Sequence, residues 1–149
     1  MFIEEIYNTR VKTISPDKTI KEAIQQLVDE KTNGLIVTEA NKVVGVLALQ
    51  DIAGATLPNE FRENVNLASA MFKEGMFKEA CMNLAGNKVS SLMRTDFMSV
   101  NLRTNIMAVM ADFLKNDLYI VPVINNNELI GVVTRIDIKK AIALKMEAL

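Results

Sequence analysis

A threonine and an aspartate three positions apart, Thr134 and Asp137, are the residues whose types and spacing point most directly to chemistry. They stand where a β-branched strand, Leu129 to Val133, is expected to turn into a helix that runs towards Met146. The spacing is typical of a capping box, in which the hydroxyl accepts from an unpaired helix amide and the carboxylate lies in the first turn. It also leaves a hydroxyl, a carboxylate and free amides at one helix N-terminus, which can hold a phosphate and a ribose diol. A capped helix without a ligand is the alternative interpretation of these residues alone.

The stretch from Gly131 to Asp137 has a counterpart earlier in the chain, from Gly45 to Asp51, at an offset of 86 residues. With this offset, residues 10–52 align with residues 96–138 without a gap, and the apolar pattern agrees far better than the identities do. The identical pairs are Ile20/Ile106, Val37/Val123, Asn41/Asn127, Gly45/Gly131, Val46/Val132, Asp51/Asp137 and Ile52/Ile138. Self-similarity of this kind indicates two copies of one supersecondary unit.

The composition indicates one compact domain without a membrane or nucleic-acid partner. A chain of 149 residues, half of them apolar, can bury an adequate core. A net charge of −1 argues against nucleic acid as the main partner. The sequence shows neither a signal peptide nor an apolar run long enough to cross a bilayer, and its one cysteine, Cys81, fits a reducing setting. We therefore expect a cytoplasmic protein.

The lack of histidine narrows the possible chemistry further. It removes histidine general bases, Ser-His-Asp and Cys-His catalysis, and the commonest metal ligand. The sequence contains no clustered carboxylate pair that could replace them. We expect no enzymatic activity, no metal site and no required cofactor.

Each copy is predicted to fold as strand–helix–strand–strand–helix, because the apolar spacing changes in that order. Thr19 with Glu22 forms another capping-box signal, and Asn105 is the aligned cap in the second copy. Pro122 suggests a sheet edge or an interrupted ladder. The predicted strands are residues 11–14, 35–38 and 43–47 in the first copy and residues 97–100, 119–124 and 129–133 in the second, with closing helices from about residue 51 and residue 135.

The segment between the copies has no counterpart elsewhere in the chain. Two helical apolar stripes, one on each side of Gly75, predict two helices or one kinked helix. The expected organisation is a first motif with its N-terminal segment over residues 1–56, a helical insertion over 57–88 and a second motif over 89–149.

These features resemble a known family, the CBS domain, which occurs in tandem as a Bateman module. The resemblance covers residues 11–55 and 97–143. It is carried by the repeated element order, the hydrophobic-Pro-hydrophobic element Val121 to Val123, and the Gly-hydrophobic-hydrophobic-Thr-x-x-Asp element Gly131 to Asp137. It implies an α/β fold of the α+β type, two units related by pseudo-twofold symmetry, and a stand-alone regulatory protein that forms a homodimer. It also implies an adenosine-containing ligand, which could be AMP, ADP, ATP or S-adenosyl methionine.

The resemblance further implies which residues hold this ligand. Asp137 would hold the ribose hydroxyls and Thr134 would help with the phosphate, which Arg135 could also reach. The walls of this cleft would come from the first unit, namely Thr13, Ile14, Ser15, Asn33 and Gly34. A second, weaker cleft would be headed by Asp51 and walled by Ser99, Val100, Asn101, Tyr119 and Ile120.

The first copy departs from the family pattern. Ala48 stands where Thr134 offers a hydroxyl, and Ile36 stands where the second copy has Pro122. We therefore expect one strong site at Asp137 and a weak or empty site at Asp51. The alternative is a structural dimerisation module with degenerate, empty clefts. In either case a separate regulated protein could read the state of the module.

Overall fold

The computed structural model describes all 149 residues, and its two similar units confirm the α/β prediction. The first unit consists of β1 (Thr13–Ile14), α1 (Ile20–Asp29), β2 (Gly34–Glu39), β3 (Lys42–Ala48) and α2 (Leu49–Ala55). The insertion contains α3 (Asn59–Arg62), α4 (Val65–Met71) and α5 (Met76–Ala85). The second unit consists of α6 (Ile106–Asn116), β4 (Ile120–Asn125), β5 (Glu128–Thr134) and α7 (Arg135–Lys145).

The second unit lacks a first strand because of one proline. In the first unit β1 runs parallel to β2, and the Ile36 N–H donates to the Lys12 carbonyl at 2.9 Å. The aligned residue in the second unit is Pro122, which has no N–H to donate. Only an isolated bridge between Val100 and Val123 forms there. The predicted interruption of the ladder is therefore confirmed, whereas the strand predicted ahead of α6 was wrong.

The predicted N-terminal caps of α1 and α6 are both confirmed. The Thr19 hydroxyl accepts from the Glu22 N–H at 3.1 Å, and the Glu22 carboxylate accepts from the Thr19 N–H at 3.3 Å. The backbone and hydroxyl donors of Thr19, with Lys18, hold the pKa of Glu22 below its usual value. In the second unit the side chain of Asn105 accepts from the Ala108 N–H at 3.0 Å. Local sequence thus determines where α1 and α6 begin.

Both hairpins turn through two residues with positive φ. These residues are Ala40 and Asn41, with φ of 50° and 64°, and Asn126 and Asn127, with the same two values. Two successive positive φ angles are the requirement of a type I′ turn. Asparagine tolerates this region, whereas the Cβ of alanine meets a steric penalty there. Ala40 is therefore the strained residue of the two turns.

Replacing Ala40 with asparagine should stabilise the protein, because it copies the residue at the same position of the second hairpin. The expected gain is about 1 kcal/mol, which corresponds to a rise in Tm of about 2–4 °C for a chain of this size. Scanning calorimetry measures the change. The matched control, Asn126→Ala, should lower the Tm by a similar amount, and an unchanged Tm in the Ala40 variant would contradict the account.

The insertion forms three helices: the predicted helices on the two sides of Gly75 are confirmed as α4 and α5, whereas the separate short helix α3 was not predicted. Pro58 precedes α3, and the side chain of Asn64 caps α4 by accepting from the Leu67 N–H at 2.9 Å. Gly75, with φ of 85°, separates α4 from α5. These breaks are closer together than the apolar stripes suggested. No helix of the chain is long and apolar enough to cross a membrane.

The segment that precedes each unit packs on the other unit. Ile3 is fully buried among Val109, Phe113 and other core residues of the second unit. Val89, which precedes the second unit, is fully buried in the core of the first unit with Leu84. The N-terminal segment, grouped with the first motif in the sequence, therefore contributes its apolar residues to the second.

The same exchange is visible in the backbone. Asn8 pairs with Val132 in β5 through two hydrogen bonds of 2.8 Å. Arg94 pairs with Val46 in β3 through bonds of 2.8 and 3.0 Å. Because both pairs are related by the same 86-residue offset, the two units are interlocked with pseudo-twofold symmetry. A third apolar cluster, with residues from β3 and β5, fills the space between them.

Candidate functional site

A cavity of about 520 Å³ lies where the two units meet. Its walls come from matching positions of both copies, which are the residues just before β2 and β4 and the first turns of α2 and α7. The lining includes Lys31, Thr32, Asn33, Gly34, Ala48, Gln50, Tyr119, Ile120, Thr134 and Arg135. Two cationic side chains and no carboxylate line this central cavity, so it favours an anionic group.

Arg135 is held in place at one end of the central cavity. Its guanidinium carbon lies 3.9 Å from the centre of the Tyr119 ring, within the range of a cation–π contact. Its backbone N–H lies in the first turn of α7 and has no hydrogen-bond partner. In the first copy the equivalent N–H, that of Leu49, donates to the Asn33 carbonyl at 2.8 Å. Only the second-copy helix therefore presents this amide to a ligand.

Asp137 faces a different cavity, of about 420 Å³. The residue is only 6% exposed, and its Oδ2 accepts from the Thr134 N–H at 2.8 Å and the Thr134 hydroxyl at 3.0 Å. Its Oδ1 accepts no hydrogen bond, and no fully buried side-chain oxygen of the chain is left without a partner. Oδ1 is therefore not completely buried, and because Asp137 lines this cavity we infer that Oδ1 opens onto it; the other walls include Glu5, Arg10 and Lys140. The free oxygen is an acceptor that a hydroxyl group of a ligand can reach.

The N-terminal segment, residues 5–10, forms the wall opposite Asp137. Sequence reasoning instead placed Thr13, Ile14 and Ser15 there, and none of the three lines either cavity. Ile14 belongs to the core of the first unit. The Thr13 carbonyl and the Ser15 hydroxyl accept hydrogen bonds from α1 and from the turn before it. The crossing of the leading segments explains the difference, because it brings the chain ahead of β1 to the second unit.

Four of the remaining wall residues of the two expected clefts meet in the central cavity. Asn33 and Gly34, expected in the Asp137 cleft, line it together with Tyr119 and Ile120, expected in the Asp51 cleft. The other expected wall of the Asp51 cleft does not take part: Ser99, Val100 and Asn101 lie outside both cavities. Asp137 lies outside this central cavity and lines the second cavity, whereas Asp51 lines neither of the two.

Asp51 is fully occupied by the protein itself. Its Oδ2 accepts from the Ala48 N–H at 2.9 Å, as Asp137 does from Thr134. Its Oδ1 accepts from Arg94 Nε at 2.9 Å, and Arg94 Nη1 also donates to the Asn116 carbonyl at 2.9 Å. The side chains of Arg94 and Asp51 are 27% and 14% exposed. The two aspartates therefore differ in one atom, because Oδ1 is taken in the first copy and free in the second.

Sequence reasoning did not identify four polar residues that line the two cavities, or the arginine that binds Asp51; these are Lys31, Gln50, Arg10, Lys140 and Arg94. Arg94 lies two positions before the start of the aligned repeat. Extending the alignment by two residues would have paired this charged residue with the neutral Asn8. The side chain of Gln50 donates to the Asp117 carbonyl at 2.6 Å, which joins the units on the Asp51 side. Nothing in the local sequence signals that contact, since its partners are 67 residues apart.

Two helix–hairpin–helix units, the first preceded by a short strand, exchange their leading segments and share a central cavity, which defines a tandem repeat module. The sequence model of the family described as "CBS domain" matches residues 3–57 and 89–144. The chain therefore belongs to the CBS domain family, and the resemblance drawn from its motifs is confirmed.

The chain is also similar to a curated protein and to solved structures of CBS-domain proteins. The chain is 28% identical over 136 residues to Uncharacterized protein MJ1232 of Methanocaldococcus jannaschii. The matched region covers 91% of this chain but only 37% of the length of that protein. A similar solved structure is that of the CBS domain pair of protein MJ0100 in complex with 5′-methylthioadenosine and S-adenosyl-L-methionine. Its TM-score is 0.70 at 20% sequence identity, and the match covers 97% of this chain and 98% of that chain. The structure of CBSX2 in complex with AMP has a TM-score of 0.70 at 24% identity and 98% coverage of both chains. The two structures establish the fold of a CBS domain pair.

Proposed function

We propose that this chain is a regulatory module that binds one adenosine-containing ligand at Asp137 and is not an enzyme. The observation that carries the proposal is the free Oδ1 of a nearly buried aspartate that opens onto a cavity. An ionised carboxylate oxygen in this position is a natural acceptor for a ribose diol. Thr134 fixes the orientation of the carboxylate through two hydrogen bonds to its other oxygen.

The neighbouring charges support a position for the rest of the proposed ligand. Thr134 precedes the first turn of α7 and lines the central cavity, whereas Asp137 lines the second cavity. A ligand with its ribose at Asp137 could therefore place its phosphate near Arg135 and Lys31, where positive charge and a free helix amide coincide. The similar structures of MJ0100 and CBSX2 were determined with adenosine compounds, which supports this class of ligand. We expect AMP, ADP or ATP to bind more tightly than the cationic S-adenosyl methionine.

Titration calorimetry with AMP, ADP, ATP and S-adenosyl methionine tests the proposal. We expect one site per chain, with a thermal shift that corresponds to about 2.7 kcal/mol when the ligand is present at 100 times its Kd. Absence of binding by all four compounds would contradict the proposal. It would favour the alternative function, a structural dimerisation module with degenerate, empty clefts.

A homodimer is also expected, because the insertion exposes large apolar side chains that the monomer leaves uncovered. Val65 on α4 and Phe77 and Met82 on α5 are more than half exposed, as is Phe72 between the two helices. A stable dimer should bury well above about 1,000 Å². Light scattering at micromolar concentration should give twice the chain mass, and Phe77→Asp should lower it. Leu149→Asp, at an exposed apolar residue of the C-terminus, is the control, and a monomeric parent chain would contradict the expectation.

A further inference from the structure

Arg94 and Asn8 occupy matching positions in the two halves of the molecule but do different things. Their backbones pair in the same way with Val46 and Val132 of the opposite unit. The side chain of Asn8 turns back on its own segment, where its Oδ1 accepts from the Arg10 N–H at 2.7 Å. The side chain of Arg94 instead reaches across to the first-copy aspartate. The pseudo-twofold symmetry of the backbone is therefore broken by one side chain at the two aspartates.

The Arg94 guanidinium is held at both ends. One end meets the Asp51 carboxylate, and the other meets the carbonyl of Asn116, the last residue of α6. Carbonyls at a helix C-terminus lack intrahelical partners and carry partial negative charge, so a cation there is favoured. A hydrogen bond between a guanidinium and a carboxylate is also roughly twice as strong as a neutral one. The arginine thus satisfies groups from both units at once.

A ribose at Asp51 would have to displace this arginine. The diol offers neutral donors, whereas the arginine is charged and tethered, with an effective concentration of about millimolar or higher. Displacement would also leave a partly buried guanidinium without its anion, which is unfavourable. Both effects act only on the first-copy aspartate, because the Oδ1 of Asp137 has no such partner.

We propose that Arg94 is a built-in occupant of the first-copy site, which satisfies Asp51 in place of a ligand and limits the chain to a single adenosine ligand. The inference rests on the proposed function in its choice of ligand class, but it concerns residues that the Asp137 site does not use. It assigns the difference between the two aspartates to Arg94 as well as to the missing hydroxyl at Ala48.

Calorimetric titration of AMP, and separately of ATP and S-adenosyl methionine, into the full chain and the Arg94→Asn variant tests this assignment. Arg94→Asn copies Asn8 and should release Oδ1 of Asp51. We expect one site per chain in the parent and a second, weaker site in the variant. The affinity of this second site should be about tenfold to a hundredfold lower than that of the Asp137 site, because Ala48 offers no hydroxyl. Arg94→Met, which keeps the apolar stem and removes the guanidinium, provides a second variant should Arg94→Asn fold poorly.

Two double variants separate the inference from the proposed function. In Arg94→Asn/Asp51→Ala the second site should vanish, and in Arg94→Asn/Asp137→Ala only the second site should remain. One site in the parent and one in both Arg94 variants would overturn the inference and leave the proposed function intact. No site in the parent but an Asp51-dependent site in the Arg94 variants would support the inference and overturn the proposed function. No binding by any chain would overturn both.

Discussion

Replacing Asp137 with alanine should abolish adenosine binding and leave the chain folded. The change removes the free carboxylate oxygen to which we assign the ribose, so the affinity for AMP should fall by about a hundredfold or more. It also removes the acceptor of the Thr134 N–H, which should cost about 0.5–2 kcal/mol of stability. That loss is tolerable for a domain with about 5–15 kcal/mol of unfolding free energy. Titration calorimetry and a thermal melt of the same sample measure the two effects separately.

Asp51→Ala is the matched control for this experiment. It removes the same backbone contact at the start of α2, the Ala48 N–H, and therefore imposes a similar helix-capping cost. AMP affinity should not change, because Asp51 is already bound to Arg94. Asp137→Asn, which keeps an oxygen for the Thr134 N–H, tests the charge alone should the alanine variant be unstable. Equal AMP affinity in the parent and Asp137→Ala would show that this carboxylate serves only as a helix cap.

Replacing Gly131 with alanine should destabilise the protein through a backbone collision. A Cβ at this position would lie 2.6 Å from the Asn8 carbonyl and 2.6 Å from the Tyr7 ring. The Asn8 carbonyl is fixed by its hydrogen bond from Val132, so the N-terminal segment would have to move. Overpacking of this kind costs about 1–3 kcal/mol, and each kcal/mol should lower the Tm by about 2–4 °C. Because the same segment walls the Asp137 cavity, AMP affinity should fall as well.

Two other glycines provide the comparison. Gly45 is the repeat counterpart, and its Cβ would meet the Met93 sulfur at 2.8 Å and the Arg94 carbonyl at 2.9 Å. The Met93 side chain can shift and the carbonyl is farther away, so Gly45→Ala should cost less than Gly131→Ala. Gly86→Ala should be neutral or slightly stabilising, since nothing lies within 4 Å of a Cβ there. Equal melting temperatures for Gly131→Ala and Gly86→Ala would show that the N-terminal segment, residues 5–10, can move without a loss of stability.

The glycine of the repeated Gly-to-Asp motif thus has a physical role that differs from that of its aspartate. Gly131 lets the segment ahead of the first unit approach β5 closely, and that segment then forms the wall opposite Asp137. Gly131 leaves space for the N-terminal segment that forms the wall, and Asp137 provides the hydrogen-bond acceptor. The two residues act together although they are six positions apart in sequence.

The sequence by itself determined the features that depend on neighbouring residues. The caps at Thr19 and Asn105 follow from side chains that reach amides three positions away. The interrupted ladder at Pro122 follows from a missing N–H on one residue. The repeat was evident because the same local pattern of apolar residues recurs at a fixed offset.

Only the tertiary structure decided how the two copies share their parts. Asn8 meets Val132 across most of the chain, and Arg94 meets Asp51 across 43 residues. No periodicity or capping pattern encodes such contacts, because they arise from the path of the leading segments over the opposite unit. That path replaced Thr13 to Ser15 with residues 5–10 as the wall of the Asp137 site. It also brought a guanidinium to one aspartate and left the other with a free oxygen, which is the difference from which the proposed single site follows.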